Sequence, residues 1–312
     1  MHAVLNVALP VFAIMLAGYL AGRFGVLGPQ ASEVLNRFVY YAALPALFVV
    51  SMARVPAGEV FNLNFIGVFF GAQVLTWAVA MAAAQIAFRG GAAEVGLHGL
   101  SAIFSNTGYM GIPLLILAFG DDGTLPAIIA TVINGALNMA IGIAIIEMDL
   151  STRTGAAGVL RDVVVGVVRS PLVLSAVGGL AWSATGWPLP TPVENFCSTI
   201  GAAASPAALF AMGLFLVGRK VTAGLGEVSW LVLLKLVVNP LIAFWLAATL
   251  FPLQPVWIAS AVILSALPTG ALVFVLAQKY DVYLQRSTSV ILISTLLSVL
   301  TVSAAMVYYV PG

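Results

Sequence analysis

Charge is the scarcest commodity in this 312-residue chain: Asp, Glu, Lys and Arg together make up 7% of it, against 62% hydrophobic residues and a mean hydropathy of +1.12. A water-soluble domain carries about 25% charged residues, so a soluble fold is excluded. Twelve basic and eleven acidic residues leave a net charge of +1 without any basic run, which argues against a nucleic-acid surface or a strong electrostatic membrane patch. The single cysteine, Cys197, excludes an intrachain disulfide. With no histidine partners it reads as a packing residue instead of a metal ligand or nucleophile. The two histidines, His2 and His98, lie near the N-terminus and at the start of an apolar run. No metal-ligand cluster and no serine with a nearby histidine base emerges, so neither an enzyme nor a cofactor is expected. No acid falls in the middle of an apolar run, which weakens any mechanism that needs a buried carboxylate to shuttle protons.

What the chain has instead is a series of apolar runs, each near the roughly 20 residues that span a bilayer core. They cover residues 3–21, 34–53, 63–87, 97–119, 125–146, 166–185, 197–217, 228–250, 256–277 and 288–309. The expected fold is therefore an all-α polytopic membrane protein of ten transmembrane helices. The first run has no positively charged stretch before it, and its first arginine, Arg23, follows it. It reads as a helix, not a leader peptide. Residues 147–165, with Glu147, Asp149, Arg153, Arg161 and Asp162, form a cytoplasmic connecting loop between a first half, 1–146, and a second, 166–312.

Positive residues stay preferentially in the cytoplasm. One side of the predicted topology holds Arg23, Arg37, Arg89, Arg153, Arg161, Arg169, Arg219, Lys220, Lys279 and Arg286, and the other holds only Arg54. Both termini are thus expected outside. Trp182, Trp187, Trp230, Trp257, Tyr308 and Tyr309 fall near run ends, as interfacial anchors do.

Five helices per half would insert the second half upside down relative to the first, and the halves do resemble each other. Pro10, Gly18 and Pro45 recur as Pro171, Gly179 and Pro206 at one common offset, and Ser101–Ala118 aligns without gaps on Ser260–Ala277, placing Gly111 on Gly270. The prolines would bend their helices. Gly18 and Gly22 form a small-xxx-small pair suited to helix packing.

The fourth run carries Ser105-Asn106-Thr107-Gly108-Tyr109-Met110-Gly111-Ile112-Pro113 at mid-membrane, and the ninth answers with Ser265-Ala266-Leu267-Pro268-Thr269-Gly270. Glycine and proline disfavour continuous helix there. Read singly, each is an ordinary proline kink; as a matched pair in inverted repeats they point to a transporter's site. Broken helices expose amides at half-helix N-termini, which suit a carboxylate, while Asn106 and Thr269 can add hydrogen bonds. The candidate substrate-binding residues are Asn106, Thr107, Gly108, Gly111, Pro113, Ala266, Pro268, Thr269 and Gly270. Lys235, seven residues into the eighth run, either snorkels to the interface or serves as an internal cation that takes a sodium ion's place or balances substrate charge, and Asn239 shares its face. Asn134 and Asn138 share a face of the fifth helix and either line the cavity or bond neighbouring helices.

Asn106-Thr-Gly-Tyr-Met-Gly-Ile-Pro-Leu-Leu115, with Ala266-Leu-Pro-Thr-Gly270 continuing through Phe274 to Ala277-Gln-Lys-Tyr-Asp281, resembles the paired crossover segments of the auxin efflux carrier family. That family holds the plant PIN carriers and bacterial members including proposed malonate carriers. Arg169-Ser-Pro171 resembles its Arg-Asn-Pro start of the sixth helix. The resemblance covers nearly the whole chain. It implies a fold shared with bile acid sodium symporters, with crossed broken helices 4 and 9. Helices 1, 2, 6 and 7 would form a dimerising scaffold and helices 3–5 and 8–10 a transport domain that moves like an elevator. Asn106 would bond the substrate carboxylate, and Pro113 and Pro268 would fix the broken segments. The chain lacks the plant carriers' long central loop, and Gly108-Tyr109 replaces their apolar pair, so a bacterial inner-membrane carrier of organic anions fits better than an auxin carrier. The expected partners are a small organic anion, the lipid bilayer and a second copy of the chain, and no nucleic acid. A sodium- or proton-coupled symporter, and a non-transporting sensor or channel, are the alternatives.

Overall fold

The computed structural model describes residues 9–28, 30–55, 62–88, 90–150, 168–219 and 224–310, together with residues 158, 161, 164 and 165. Arg89, Arg153, Asp162, Lys220 and His2, and with them most of the expected connecting loop, lie outside the described residues. All the secondary structure among the described residues is helical apart from one isolated bridge. In chain order the helices are α1 (Leu9–Arg23), α2 (Ala31–Arg54), α3 (Leu63–Phe88), α4 (Ala92–Ile103), α5 (Thr107–Phe119), α6 (Asp121–Asp149), α7 (Pro171–Ser183), α8 (Thr191–Leu216), α9 (Leu225–Thr249), α10 (Pro255–Ser265), α11 (Leu272–Tyr280) and α12 (Leu284–Tyr309). Six of them, α2, α3, α6, α8, α9 and α12, are long and apolar enough to cross a membrane. The others are shorter and pack among them.

Proline sets the local form of three helices. Immediately before Pro45, Pro113 and Pro240 the chain widens into π-helical turns at Val39–Ala43, Thr107–Gly111 and Leu234–Val238. In each, the residue preceding the proline donates its amide five residues back: Leu44 to Val39, Ile112 to Thr107 and Asn239 to Leu234. A proline offers no N–H and its ring crowds the carbonyl four residues earlier, and a wider turn relieves both. Pro171, expected to bend a helix, instead starts one at its first position, where a missing N–H has no cost.

Two packed groups follow. Helix α1 lies on α8, and α2 lies on α7 and α8. Elsewhere α3 packs against α4 and α9, α4 against α6, and α10 against α6 and α9. Small residues set the closest approaches. A Cβ at Gly213 would stand 1.9 Å from the Met15 carbonyl oxygen, and one at Gly18 would stand 2.1 Å from that of Phe210. Gly22 faces Leu214 and Val217 of the same partner helix, so the Gly18/Gly22 pair is a helix-packing surface. Without water to drive helices together, such close contact supplies the association through dispersion.

Candidate functional site

Helix stops at Ile103 and resumes at Thr107, and it stops again at Ser265 and resumes at Leu272. The two interruptions meet. Ser105 and Thr269 form an antiparallel bridge, in which the Asn106 amide donates to the Pro268 carbonyl at 2.9 Å and the Gly270 amide donates to the Phe104 carbonyl at 2.9 Å. Interrupted backbone deep in an apolar bundle must find partners for its amides and carbonyls, and here each segment satisfies the other. Gly270 permits the approach, because a Cβ there would press on the Phe104 ring at 3.0 Å. Thr269 is fully buried; its hydroxyl donates to Ser101 O at 2.8 Å and its amide donates to Ser294 Oγ at 3.1 Å.

A second layer of side chains holds the crossing from behind. Asn134 Nδ2 donates to Ser105 O at 3.0 Å and to Thr107 Oγ1 at 3.2 Å, and its own Oδ1 accepts from Gln73 at 2.8 Å and from Asn138 at 2.7 Å. Asn138 also donates to Gln73 Oε1 at 2.9 Å. On the other interruption, Lys235 Nζ and Asn239 Nδ2 both donate to Ser265 O, at 2.6 and 3.3 Å. Thr76 Oγ1 lies 3.3 Å from Asn239 Oδ1. Every side chain in this network is buried.

A cavity of about 440 Å³, measured to include its open mouth, lies beside the crossing and is lined by Tyr40, Leu44, Phe104, Ser105, Asn106, Thr107, Gly108, Tyr109, Thr131, Asn134, Gly135, Leu172, Gly270, Ala271 and Leu272. None of these is charged. Two helix beginnings, those of α5 and α11, open onto it. The amides of Gly108, Tyr109, Ala271 and Leu272 have no carbonyl partner among the described residues, as the first amides of a helix do not. Asn106 Nδ2 and Ser105 Oγ are buried and also without partners. Buried polar groups are nearly always hydrogen-bonded, so this concentration of free donors would suit a ligand with acceptor atoms. A half-positive helix N-terminus adds to that preference.

Of the residues singled out from sequence, Asn106, Thr107, Gly108, Gly270 and Asn134 line this cavity. Ala266, Pro268 and Thr269 belong to the crossing without lining it. Gly111 packs on Leu264 and Leu267, where a Cβ would approach within 2.7 Å, and Pro113 sits in the first turn of the α-helix that follows the π turn. Lys235, Asn239 and Asn138 stand behind the crossing and do not reach the cavity wall. Sequence reasoning passed over Gln73, Thr76, Ser105 and Tyr40; a glutamine and a threonine in the middle of the third apolar run are the signal that could have found the first two.

The chain matches the model of the membrane transport protein family over residues 3–306. It is 31% identical over 306 residues to the "Putative malonate transporter" of Rhizobium meliloti (strain 1021), covering 98% of this chain and 96% of that protein. It is 27% identical over 301 residues to the "Uncharacterized transporter YfdV" of Escherichia coli (strain K12), covering 94% and 93%. It is also 28% identical over 256 residues to the mouse "Lysosomal cholesterol signaling protein", covering 75% of this chain and 28% of that one. The chain therefore belongs to the membrane transport protein family, which includes the auxin efflux carriers, and is a transporter rather than an enzyme.

Proposed function

We propose that this protein is a secondary carrier that moves a small organic anion, a carboxylate, across the membrane, with its site at the crossing of the two helix interruptions. The observation that carries this reading is the set of unpartnered donors on an uncharged cavity: Asn106 Nδ2, Ser105 Oγ and the first amides of α5 and α11. A carboxylate offers four lone-pair sites to such donors, and the anionic substrate in the name of the Rhizobium relative fits the same chemistry.

In this reading the chain has ten membrane-spanning helices as two inverted five-helix repeats, with α4–α5 and α10–α11 as the broken fourth and ninth. Helices α1, α2, α7 and α8 form a scaffold and pair two copies. Helices α3–α6 and α9–α12 move as a transport domain that carries the cavity past the scaffold, in an elevator-type step. The protein sits in a bacterial inner membrane with both termini outside. Export needs no coupling ion, since an inside-negative membrane drives an anion outward by about 2.3 kcal/mol per charge per 100 mV. Sodium dependence is not expected: the fully buried Lys235 already donates to the Ser265 carbonyl at the break, which leaves that oxygen engaged instead of free to ligate a cation.

Counterflow of labelled malonate in proteoliposomes tests this. Saturable, sodium-independent exchange is expected, reduced at least about tenfold in Asn106→Ala, where hydrogen bonding to a charged group is lost. Conductance in planar bilayers without saturable exchange would replace the carrier with a channel, and sodium-dependent uptake would replace it with a symporter.

A further inference from the structure

Away from the cavity, the chain buries an imidazole against a carboxylate. His98, in the middle of α4, is 1% exposed, and its Nδ1 lies 2.7 Å from Glu227 Oε1 and 3.1 Å from the Tyr283 hydroxyl. An ionised carboxylate can only accept, so Nδ1 carries a hydrogen and donates it. In the neutral ring that leaves Nε2 as a bare lone pair, buried and without a partner among the described residues. The Phe88 ring packs against the imidazole at 5.5 Å between centroids. Buried polar atoms are nearly always paired, and a proton fills this lone pair without needing room.

The charges around the ring favour the same occupant. Arg286 Nε lies 3.2 Å from Glu227 Oε2, and Arg286 Nη1 lies 3.9 Å from Glu94 Oε2. One guanidinium thus serves two carboxylates, and an imidazolium would make the cluster neutral. The other ionisable groups at this end of the helices packed on α4 are committed elsewhere. On α6, Asp149 accepts from the Ala93 amide at 2.8 Å and Glu147 from the Tyr280 hydroxyl at 2.6 Å. Lys279 of α11 lies over the Tyr280 ring at 4.7 Å, Asp281 after it is exposed, and Tyr283 donates to Glu227. Further along α9, Lys235 donates to Ser265 O. The described residues of α3 carry no ionisable side chain. Arg286 and Glu94 are both partly exposed, so the cluster meets the solvent that would supply the proton.

Both helices joined here run to the crossing. Just beyond His98, the Ser101 carbonyl accepts from the Thr269 hydroxyl at 2.8 Å, and α4 ends at Ile103. Beyond Glu227, Lys235 and Asn239 of α9 hold Ser265 O, on the other side of the crossing.

We propose that His98 Nε2 is a proton-binding site, filled from the solvent beside Arg286, whose occupancy raises the affinity of the crossing for an anion. A solvent proton bonds to the Nε2 lone pair, the imidazole becomes an imidazolium paired with Glu227, and the cluster loses its net negative charge. His98 lies about 9 Å along the helix axis from Phe104 on the cavity wall, so removing a negative charge there favours an anion in the cavity. The linkage to binding rests on the carboxylate-carrier reading, whereas the proton site does not.

The chain has two histidines, His2 and His98. Isotope-labelled histidine in the detergent-purified full chain therefore gives two ring signals by nuclear magnetic resonance. His98→Asn, which keeps a side-chain N–H for Glu227, identifies the signal of His98. That ring is expected to pass from the Nδ1–H tautomer to imidazolium between about pH 8 and about pH 5, the range in which histidine changes charge. In Glu227→Gln it is expected to do so only at lower pH. Malonate affinity, read by ligand-induced thermal stabilisation, is expected to gain about threefold more in wild type than in His98→Asn between about pH 8 and about pH 6, the variant carrying any protonation of malonate itself. Linkage is reciprocal, so saturating malonate should move the His98 transition to higher pH. A His98 ring that keeps one protonation state across the range, or titrates identically in Glu227→Gln, overturns the proton site. Equal gains in malonate affinity in wild type and His98→Asn overturn the linkage. If malonate stabilises wild type at neither pH, the carboxylate reading fails, while the ring signals still decide the proton site.

Discussion

Lys235 Nζ donates to the carbonyl of Ser265 at 2.6 Å, from a side chain with no exposed surface to the last residue of α10 before the chain breaks. No carboxylate accompanies it among the described residues. The charged form of a buried amine without a counter-ion is costly, and an anion brought near it recovers part of that cost. At an effective dielectric of about 20, a charge within about 10 Å of a carboxylate contributes about 1.7 kcal/mol. Lys235→Met is therefore expected to leave thermal stability unchanged or raised, while weakening carboxylate binding by roughly tenfold. A melting curve with and without malonate reads both. A large loss of stability with affinity intact would make Lys235 a structural tie to Ser265 and nothing more.

Adjacent glycines on α7 provide a matched pair. A Cβ on Gly179 would meet the Val49 carbonyl oxygen at 2.7 Å and Met52 Cβ at 2.8 Å, whereas one on Gly178 would meet nothing within 4 Å. Gly179→Ala is expected to force α2 and α7 apart and cost about 1–3 kcal/mol. Gly178→Ala should be neutral or stabilising by up to about 1 kcal/mol through backbone entropy. Melting temperatures of the two variants side by side decide it, and equal behaviour would mean that α7 does not sit on α2 this closely.

The helices were legible because the bilayer demands long apolar runs, and each of the ten runs read from the sequence contains helix. The two interruptions were legible because glycine and proline weaken helix at recognisable spots. What the sequence hid was the exact place of each break: Pro113 announces one, yet the helix parts at Phe104–Asn106, several residues earlier, because a π turn absorbs the proline. Tyr40 was invisible as a site residue because only the packing of α2 across the chain brings it to Asn106. Gln73 looks like a lone polar residue until the fold joins it to Asn134 and Asn138, the pair already read onto one helix face.

A largely buried cluster joins His98 in the middle of α4 to the starts of α9 and α12. Glu227 Oε1 accepts from the Tyr283 hydroxyl and lies 2.7 Å from His98 Nδ1, while Oε2 lies 3.2 Å from Arg286 Nε. Glu227→Ala leaves the buried His98 and Tyr283 without their carboxylate partner and removes the ion pair to the partly exposed Arg286; it is expected to cost about 1–3 kcal/mol, with Glu227→Gln less damaging. Burial, reinforced by the hydrogen bond to the Glu227 carboxylate, pushes the Tyr283 phenol up from its ordinary value of 10.0. A raised pKa in the folded chain means that its contribution is complete below that ordinary value and is lost as pH rises through the folded one. Wild type should therefore lose melting temperature as pH climbs above about 10, and Tyr283→Phe should flatten that decline. Parallel declines in the two proteins would assign the alkaline loss to other groups.

The Arg219 guanidinium, just past the end of α8, lies 4.7 Å from the centroid of Phe215 in that helix and 4.3 Å from that of Phe274 in α11, and the two rings meet edge-to-face at 5.3 Å. In the proposed division α8 belongs to the scaffold and α11 to the moving domain, so this bracket spans the surface along which they would slide. Cation–π contacts of this kind contribute about 0.5–2 kcal/mol depending on how dry they are, enough to bias a two-state equilibrium by up to roughly thirtyfold. Phe274→Leu keeps an apolar side chain but removes the ring, so it should release the bracket without opening a hole. Amide exchange along Leu272–Tyr280 is then expected to speed up, with Gly178–Ser183 of α7 as an internal reference that stays unchanged. Counterflow should also accelerate if separation of the two surfaces limits the rate. Unaltered exchange in α11 would mean that the ring pair is held by its surroundings and that Arg219 does not tie the two groups of helices together.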